Sequence, residues 1–247
     1  MKLKHILLFC INFALILGCA QSFAQEETTK DTLVFKQKYG LRLGGDVLKL
    51  VRSALDDEYS GFEINGDYRL TKRWYLAGEL GFEERITSTD FLNATTTGSY
   101  FKAGADYNFY RNWLDMENMI YAGLRVGAST FKQELNSFTI YDSNNGTFGQ
   151  FTPERSEEFS GLTAIWTEVL FGLKAEVFNN LYMGLNVQLK FLITDDQPSN
   201  FENLYIPGFN KTFDSGSFGI GFGYNVSYLI PIFKKDKKVT VDKPKEE

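Results

Sequence analysis

Residues 181–193 read LYMGLNVQLKFLI. Leu181, Met183, Leu185, Val187, Leu189, Phe191 and Ile193 occupy one set of alternate positions. Tyr182, Gly184, Asn186, Gln188 and Lys190 occupy the other. A helix would mix the two sets on every face; a strand, with a period of two, keeps them apart. The stretch is therefore a strand with one apolar and one polar face.

The same split recurs along the chain. In 61–70, Phe62, Ile64, Tyr68 and Leu70 oppose Glu63, Asn65, Asp67 and Arg69. In 217–228, Phe218, Ile220, Phe222, Tyr224, Val226 and Tyr228 oppose Ser217, Gly219, Gly221, Gly223, Asn225 and Ser227. Reading all 247 residues this way predicts eight strands, roughly 38–48, 60–70, 73–86, 98–110, 118–131, 162–178, 181–193 and 216–230. Strands of about ten residues or more cross an outer membrane when tilted.

The connections alternate in length. The second, fourth and sixth are short: Thr71 and Lys72, then 111–117, then Asn179 and Asn180. Asn tolerates positive φ, which suits a tight hairpin. The first, third, fifth and seventh are longer, at about 49–59, 87–97, 132–161 and 194–215. The expected fold class is all-β: an eight-stranded antiparallel up-and-down transmembrane β-barrel with short periplasmic turns and long extracellular loops. An even strand number puts both termini on the periplasmic side.

The ends agree with export. Lys2 and Lys4 precede an apolar run over 6–18, the pattern of a signal peptide and too short for a spanning helix. Ser22, Phe23 and Ala24 form a small-x-small cleavage site, which makes 1–24 a leader. Ile16, Leu17, Gly18 and Cys19 offer the alternative of a lipobox, with lipid on Cys19 and a periplasmic location. The remaining expected parts are an N-terminal periplasmic segment at 25–37, the barrel at 38–233, and a charged disordered tail at 234–247. Cleavage after Ala24 removes both cysteines, Cys10 and Cys19, and the one histidine, His5. It also removes two positive charges, so the net charge of −5 becomes −7.

Composition fits a barrel. Aromatic residues make up 16 % of the chain and glycines number 22, while mean hydropathy is only −0.23. A membrane barrel hides its apolar content in alternation, so a low mean is compatible with it. Fourteen charges fall on the polar faces: Arg42, Asp46, Glu63, Asp67, Arg69, Glu79, Glu83, Lys102, Asp106, Arg125, Glu168, Lys174, Glu176 and Lys190. They are expected to line the lumen, interleaved with glycines. Eight acids and six bases nearly balance, and in a narrow low-dielectric interior they should pair. Trp74, Trp113, Tyr107 and Tyr228 fall near strand ends on the short-turn side, where an aromatic belt belongs.

Residues 39–43, 61–73, 75–81, 102–107, 117–125 and 179–184 together resemble an uncharacterised outer-membrane β-barrel family of Bacteroidota. The resemblance spans most of the chain. It implies location and fold but no activity, and no catalytic residues.

Chemistry is scarce. Without histidine after cleavage, neither a Ser–His or Cys–His nucleophile nor a histidine zinc site can form. Glu83 and Glu84 could pair for acid–base work, but adjacent strand residues face opposite ways. Asp56, Asp57 and Glu58, and Asp195 with Asp196, are oxygen-rich but lack EF-hand spacing. Gly219, Gly221 and Gly223 have the wrong spacing for a nucleotide loop. No catalytic, cofactor or metal site is expected, and no nucleic-acid partner. The best contact surface is the 132–161 loop, with Phe138, Ile140, Tyr141, Phe148 and Phe151.

The expected function is a non-enzymatic, monomeric outer-membrane barrel that anchors or displays loops. Its partners are membrane lipid and an extracellular or periplasmic protein. Two alternatives stand beside it: a narrow pore for ions or very small solutes, and a soluble or lipidated barrel holding an apolar ligand.

Overall fold

The computed structural model describes residues 30–112, 117–139, 156–198, 202–211 and 217–242. By its contacts the chain divides into two units, Lys36–Lys237 and a second of Met1–Phe35 with Lys238–Glu247. The first holds the barrel, and the description that follows concerns it.

Eight long strands close into a ring. They are β1 (Lys30–Asp46), β2 (Tyr59–Arg69), β3 (Trp74–Thr89), β4 (Leu92–Asn108), β5 (Met119–Phe138), β6 (Glu157–Phe178), β7 (Leu181–Asp195) and β10 (Phe218–Asp242). Each pairs with its sequence neighbour, and β10 returns to β1. The paired registers from β2 round to β7 and from β7 to β10 are all antiparallel. Closure removes sheet edges, so strand backbone groups are satisfied within the ring.

The apolar residues face out. Leu80, Phe101, Leu124, Phe171, Leu185 and Phe222 are each more than half exposed, on six different strands. Of the fourteen charges expected on the inner face, twelve are buried. This is the inverse of a soluble barrel with an apolar interior.

The lumen also holds aromatic rings, and register explains how. Tyr100 pairs with Gly81, Tyr121 with Gly172, and Trp166 with Gly127. Each ring lies over its cross-strand glycine. A Cβ on Gly81 would fall 2.3 Å from the Tyr100 ring, and one on Gly127 2.3 Å from Trp166. At these three positions glycine leaves the space that an inner aromatic ring fills.

Three connections depart from expectation. Residues 87–97 do not form a long loop: β3 and β4 continue to a turn of Asp90 and Phe91. The β-branched Ile86, Thr87, Thr95, Thr96 and Thr97 favour extended backbone there. The first connection contains a helix, α1 (Val47–Leu55), capped by Asp46, whose carboxylate accepts from Leu48 N at 2.8 Å. The seventh carries a two-stranded hairpin, β8 (Tyr205–Ile206) with β9 (Asn210–Lys211). Pro207 and Gly208 turn it, with φ of 82° at Gly208 and 90° at Asn210.

Strands β1 and β10 also run beyond the 38–233 span. Residues 234–242, expected as disordered tail, are strand, where Val239, Thr240 and Val241 supply β-branched residues. Residues 1–29 and 243–247 lie outside the described residues. On the short-turn side, Asn180 takes a φ of 66° between β6 and β7. Trp74, Tyr107 and Phe109 form an edge-to-face row, with centroids 5.0 and 4.9 Å apart. Trp113 lies outside the described residues.

The ring–glycine fit predicts a contrast. Gly127→Ala should cost about 1–3 kcal/mol, the range for overpacking a filled site. Gly78→Ala, whose Cβ would meet its nearest neighbour at 3.6 Å, should leave stability within about 0.5 kcal/mol. Urea unfolding of the two variants in lipid vesicles measures the difference.

Candidate functional site

The candidate site is the lumen, and it is built in tiers. At its centre Lys102, 1 % exposed, lies 2.7 Å from Glu79, 3.3 Å from Glu63 and 3.8 Å from Glu168. Trp166 Nε1 donates to Glu168 at 2.6 Å. Arg125 contacts Asp106 at 2.8 Å and Glu79 at 3.5 Å. Towards the short turns, Asp67 lies 2.7 Å from Arg42 and 2.6 Å from Lys174. Lys174 is on β6 and Asp67 on β2, opposite in the ring, so this pair spans the diameter. The Arg42 guanidinium sits 5.0 Å from both the Tyr75 and Tyr182 rings. At the mouth, Arg69 pairs with Glu117 at 2.6 Å and Lys38 with Glu176 at 3.2 Å.

The opposite end is sealed differently. Tyr100, Phe131, Leu162, Ala164, Trp166, Ile206 and Phe209 form one buried apolar cluster. Ile206 and Phe209 come from the β8–β9 hairpin, and Phe209 meets Trp166 edge-to-face at 6.1 Å. Glu83 ties the hairpin down: Tyr205 OH and Gly208 N each donate to its Oε2 at 2.8 Å. Its Oε1 accepts from Lys49 Nζ at 2.5 Å and Tyr59 OH at 3.0 Å. Lys190 donates to the Gly208 carbonyl at 2.6 Å. Beside Asn65, Asp67, Arg125 and Lys174 the mid-lumen holds a pocket of about 20 Å³, room for about one water.

The fourteen charges named from the sequence all sit on the inner side of the strands. Twelve are buried; Lys174 and Glu176 are partly open near the mouth, with side chains 12 % and 18 % exposed. Asp46 differs in its work, since it caps α1. Lys38, Lys49 and Glu117 join the network without having been singled out. Lys38 and the lumen aromatics share the parity of the inner charges on their own strands, which was a readable signal. Lys49 arrives on a helix, and the hairpin folds inward from a loop; no parity count finds either.

The other candidates resolve as follows. Glu83 and Glu84 face opposite ways; Glu84 accepts from Thr97 Oγ1 at 3.2 Å. Asp56 and Glu58 are held by Arg85 at 2.7 and 3.2 Å. Desolvation works against ionisation of Asp56, but the Glu58 backbone N–H and Arg85 outweigh it and hold its carboxyl below the usual range. Asp195 and Asp196 accept from Asn203 and Thr163. Among the described residues no group of three or more His, Cys, Asp or Glu is placed to hold a metal ion. Phe138 ends β5, half-buried. Ile140, Tyr141, Phe148 and Phe151 lie outside the described residues.

The chain belongs to the DUF6048 family, a domain of unknown function, whose model matches residues 5–235. No curated protein matches it. Among solved structures it is similar to Ail, the attachment invasion locus protein of Yersinia pestis, at 9 % identity. That match covers 79 % of this chain and 99 % of the other, with a TM-score of 0.40.

Removing one member of a buried ion cluster strands the others. Lys102→Met should destabilise the barrel by about 3–5 kcal/mol, since three carboxylates lose their shared cation. Lys132→Met, which breaks a solvent-exposed contact with Glu134, should leave the unfolding midpoint unchanged. Denaturant titration in vesicles compares the two.

Proposed function

We propose that this protein is a monomeric, non-enzymatic outer-membrane barrel that anchors and displays its long connections. Following the sequence resemblance, we place it in a Gram-negative envelope of the Bacteroidota type. The observation that carries the membrane part is the outward face. Leucine, isoleucine and phenylalanine side chains about half exposed on strand after strand would be intolerable in water over so large a surface. Hydrocarbon is the solvent that accepts them, with the Trp74 and Tyr107 row at one interface.

The lumen supports anchoring over transport. A pore needs a continuous wet path. Here side chains from opposite strands meet in ion pairs, and the β8–β9 hairpin stoppers one end. An enzyme would need a reactive group in reach of substrate, and the carboxylates here are engaged with lysines, arginines and tyrosines in a filled interior. The connections on the long-loop side are the parts left to meet an extracellular partner, Phe138 and its neighbours included.

Two measurements test this reading. The full chain, expressed in a Gram-negative host, should stay in carbonate-washed outer membranes and migrate faster unboiled than boiled. Release into the periplasm would overturn the membrane assignment. In planar bilayers the purified protein should hold the current at baseline, whereas steady unitary steps would establish a pore instead.

A further inference from the structure

Helix α1 is built inside out for a soluble protein. Lys49, Arg52 and Ser53 occupy one face, at the spacing that brings residues together on a helix. That face turns to the protein. Lys49 reaches Glu83 and Glu63 in the lumen, and Arg52 lies 3.9 Å from the Tyr59 ring. The apolar side chains point away: Leu48 is 44 % exposed, Leu50 54 %, Val51 46 % and Leu55 81 %. No residue of the helix is buried.

Its position explains the inversion. The register of β1 with β2 ends at Gly45 opposite Ile64. On its other side β2 stays paired with β3 as far as Tyr59 opposite Arg85. Where β1 has stopped, Ser53 substitutes for a strand: its Oγ accepts from Gly61 N at 2.7 Å and contacts Gly61 O at 3.0 Å. The helix therefore continues the barrel wall in place of the last residues of β1. A wall element has a lumen side and an outer side, as a strand does. Its outer side adjoins the apolar belt: Leu48 shares one surface groove with Phe222 and Tyr224 of β10 and with Val187 of β7. At its far end, Asp56, Glu58 and Arg85 form a polar rim. Nine residues at 1.5 Å each make about 14 Å of helix.

We infer that the Leu48, Val51 and Leu55 face of α1 is a lipid contact, lying against acyl chains of the outer leaflet. This rests on the membrane reading of the barrel and extends it to a non-strand element. A solvated helix would carry its charges outward, and a helix docked on protein would bury its leucines.

Nitroxide labelling tests it. The only cysteines are Cys10 and Cys19. Single cysteines at Leu48, Val51 and Leu55 are made in the full chain with Cys10→Ser and Cys19→Ser. All three sites are surface positions, and the gel shift on boiling checks that each variant folds. Leu124, in the belt of β5, and Asp57, exposed past the helix, are the lipid and water references. In phosphatidylcholine–phosphatidylglycerol bilayers, collisions with oxygen should exceed those with a water-soluble nickel chelate at all three helix sites, as at Leu124 and unlike Asp57. Chelate access at the helix with a shielded Leu124 overturns the helix proposal alone. Chelate access at Leu124 overturns the membrane reading itself. Spectral broadening at Val51 that disappears on dilution with unlabelled protein would assign the face to a second copy of the chain, and also overturns the proposal.

Discussion

An eight-stranded ring is too narrow to leave its inward side chains in water, and here those side chains are charged. Lys102 shows the consequence. It is buried among Glu63, Glu79 and Glu168, which come from three other strands on both sides of it. A buried charge without partners would cost several kcal/mol, so each strand's contribution is stable only with the others in register. The ion network thus acts on the whole ring. A slip of one residue in any strand would turn its charges onto the apolar outer face and its leucines into the lumen.

The same narrowness explains the glycines. A lumen filled to protein density needs large side chains set against small ones. Tyr100, Tyr121 and Trp166 lie over Gly81, Gly172 and Gly127 because cross-strand partners are the closest neighbours a strand offers. Ring and glycine together span the space two ordinary residues would overfill. Gly81, Gly127 and Gly172 are therefore packing partners rather than points of flexibility.

The two ends of the barrel are closed by different physics. Near the short turns, polar pairs such as Lys38 with Glu176 meet solvent at the mouth. At the other end an apolar cluster is stoppered by Ile206 and Phe209, and the hairpin's backbone is satisfied by Glu83 and Lys190. Glu83 links this stopper to α1 through Lys49, so the wall helix and the lumen hairpin share one carboxylate. Both elements come from connections rather than from barrel strands, and both place polar groups inward.

Alternation alone determined the number of barrel strands, the middle of each and the face on which each inner charge lies, but not the outer ends of β1, β3, β4 and β10. That information is local: a period of two is visible within ten residues, and Leu185 next to Asn186 needs no partner to declare opposite sides. Tertiary structure decided what depends on contacts across the ring. Which carboxylate meets Lys102, which glycine accepts Trp166, and where Phe209 inserts are set by register and closure, with no trace in local periodicity. Residues 47–55 make the point from the other direction. Their apolar and polar spacing is that of a helix, but only the early end of β1 and the open backbone at Gly61 turn the polar face inward.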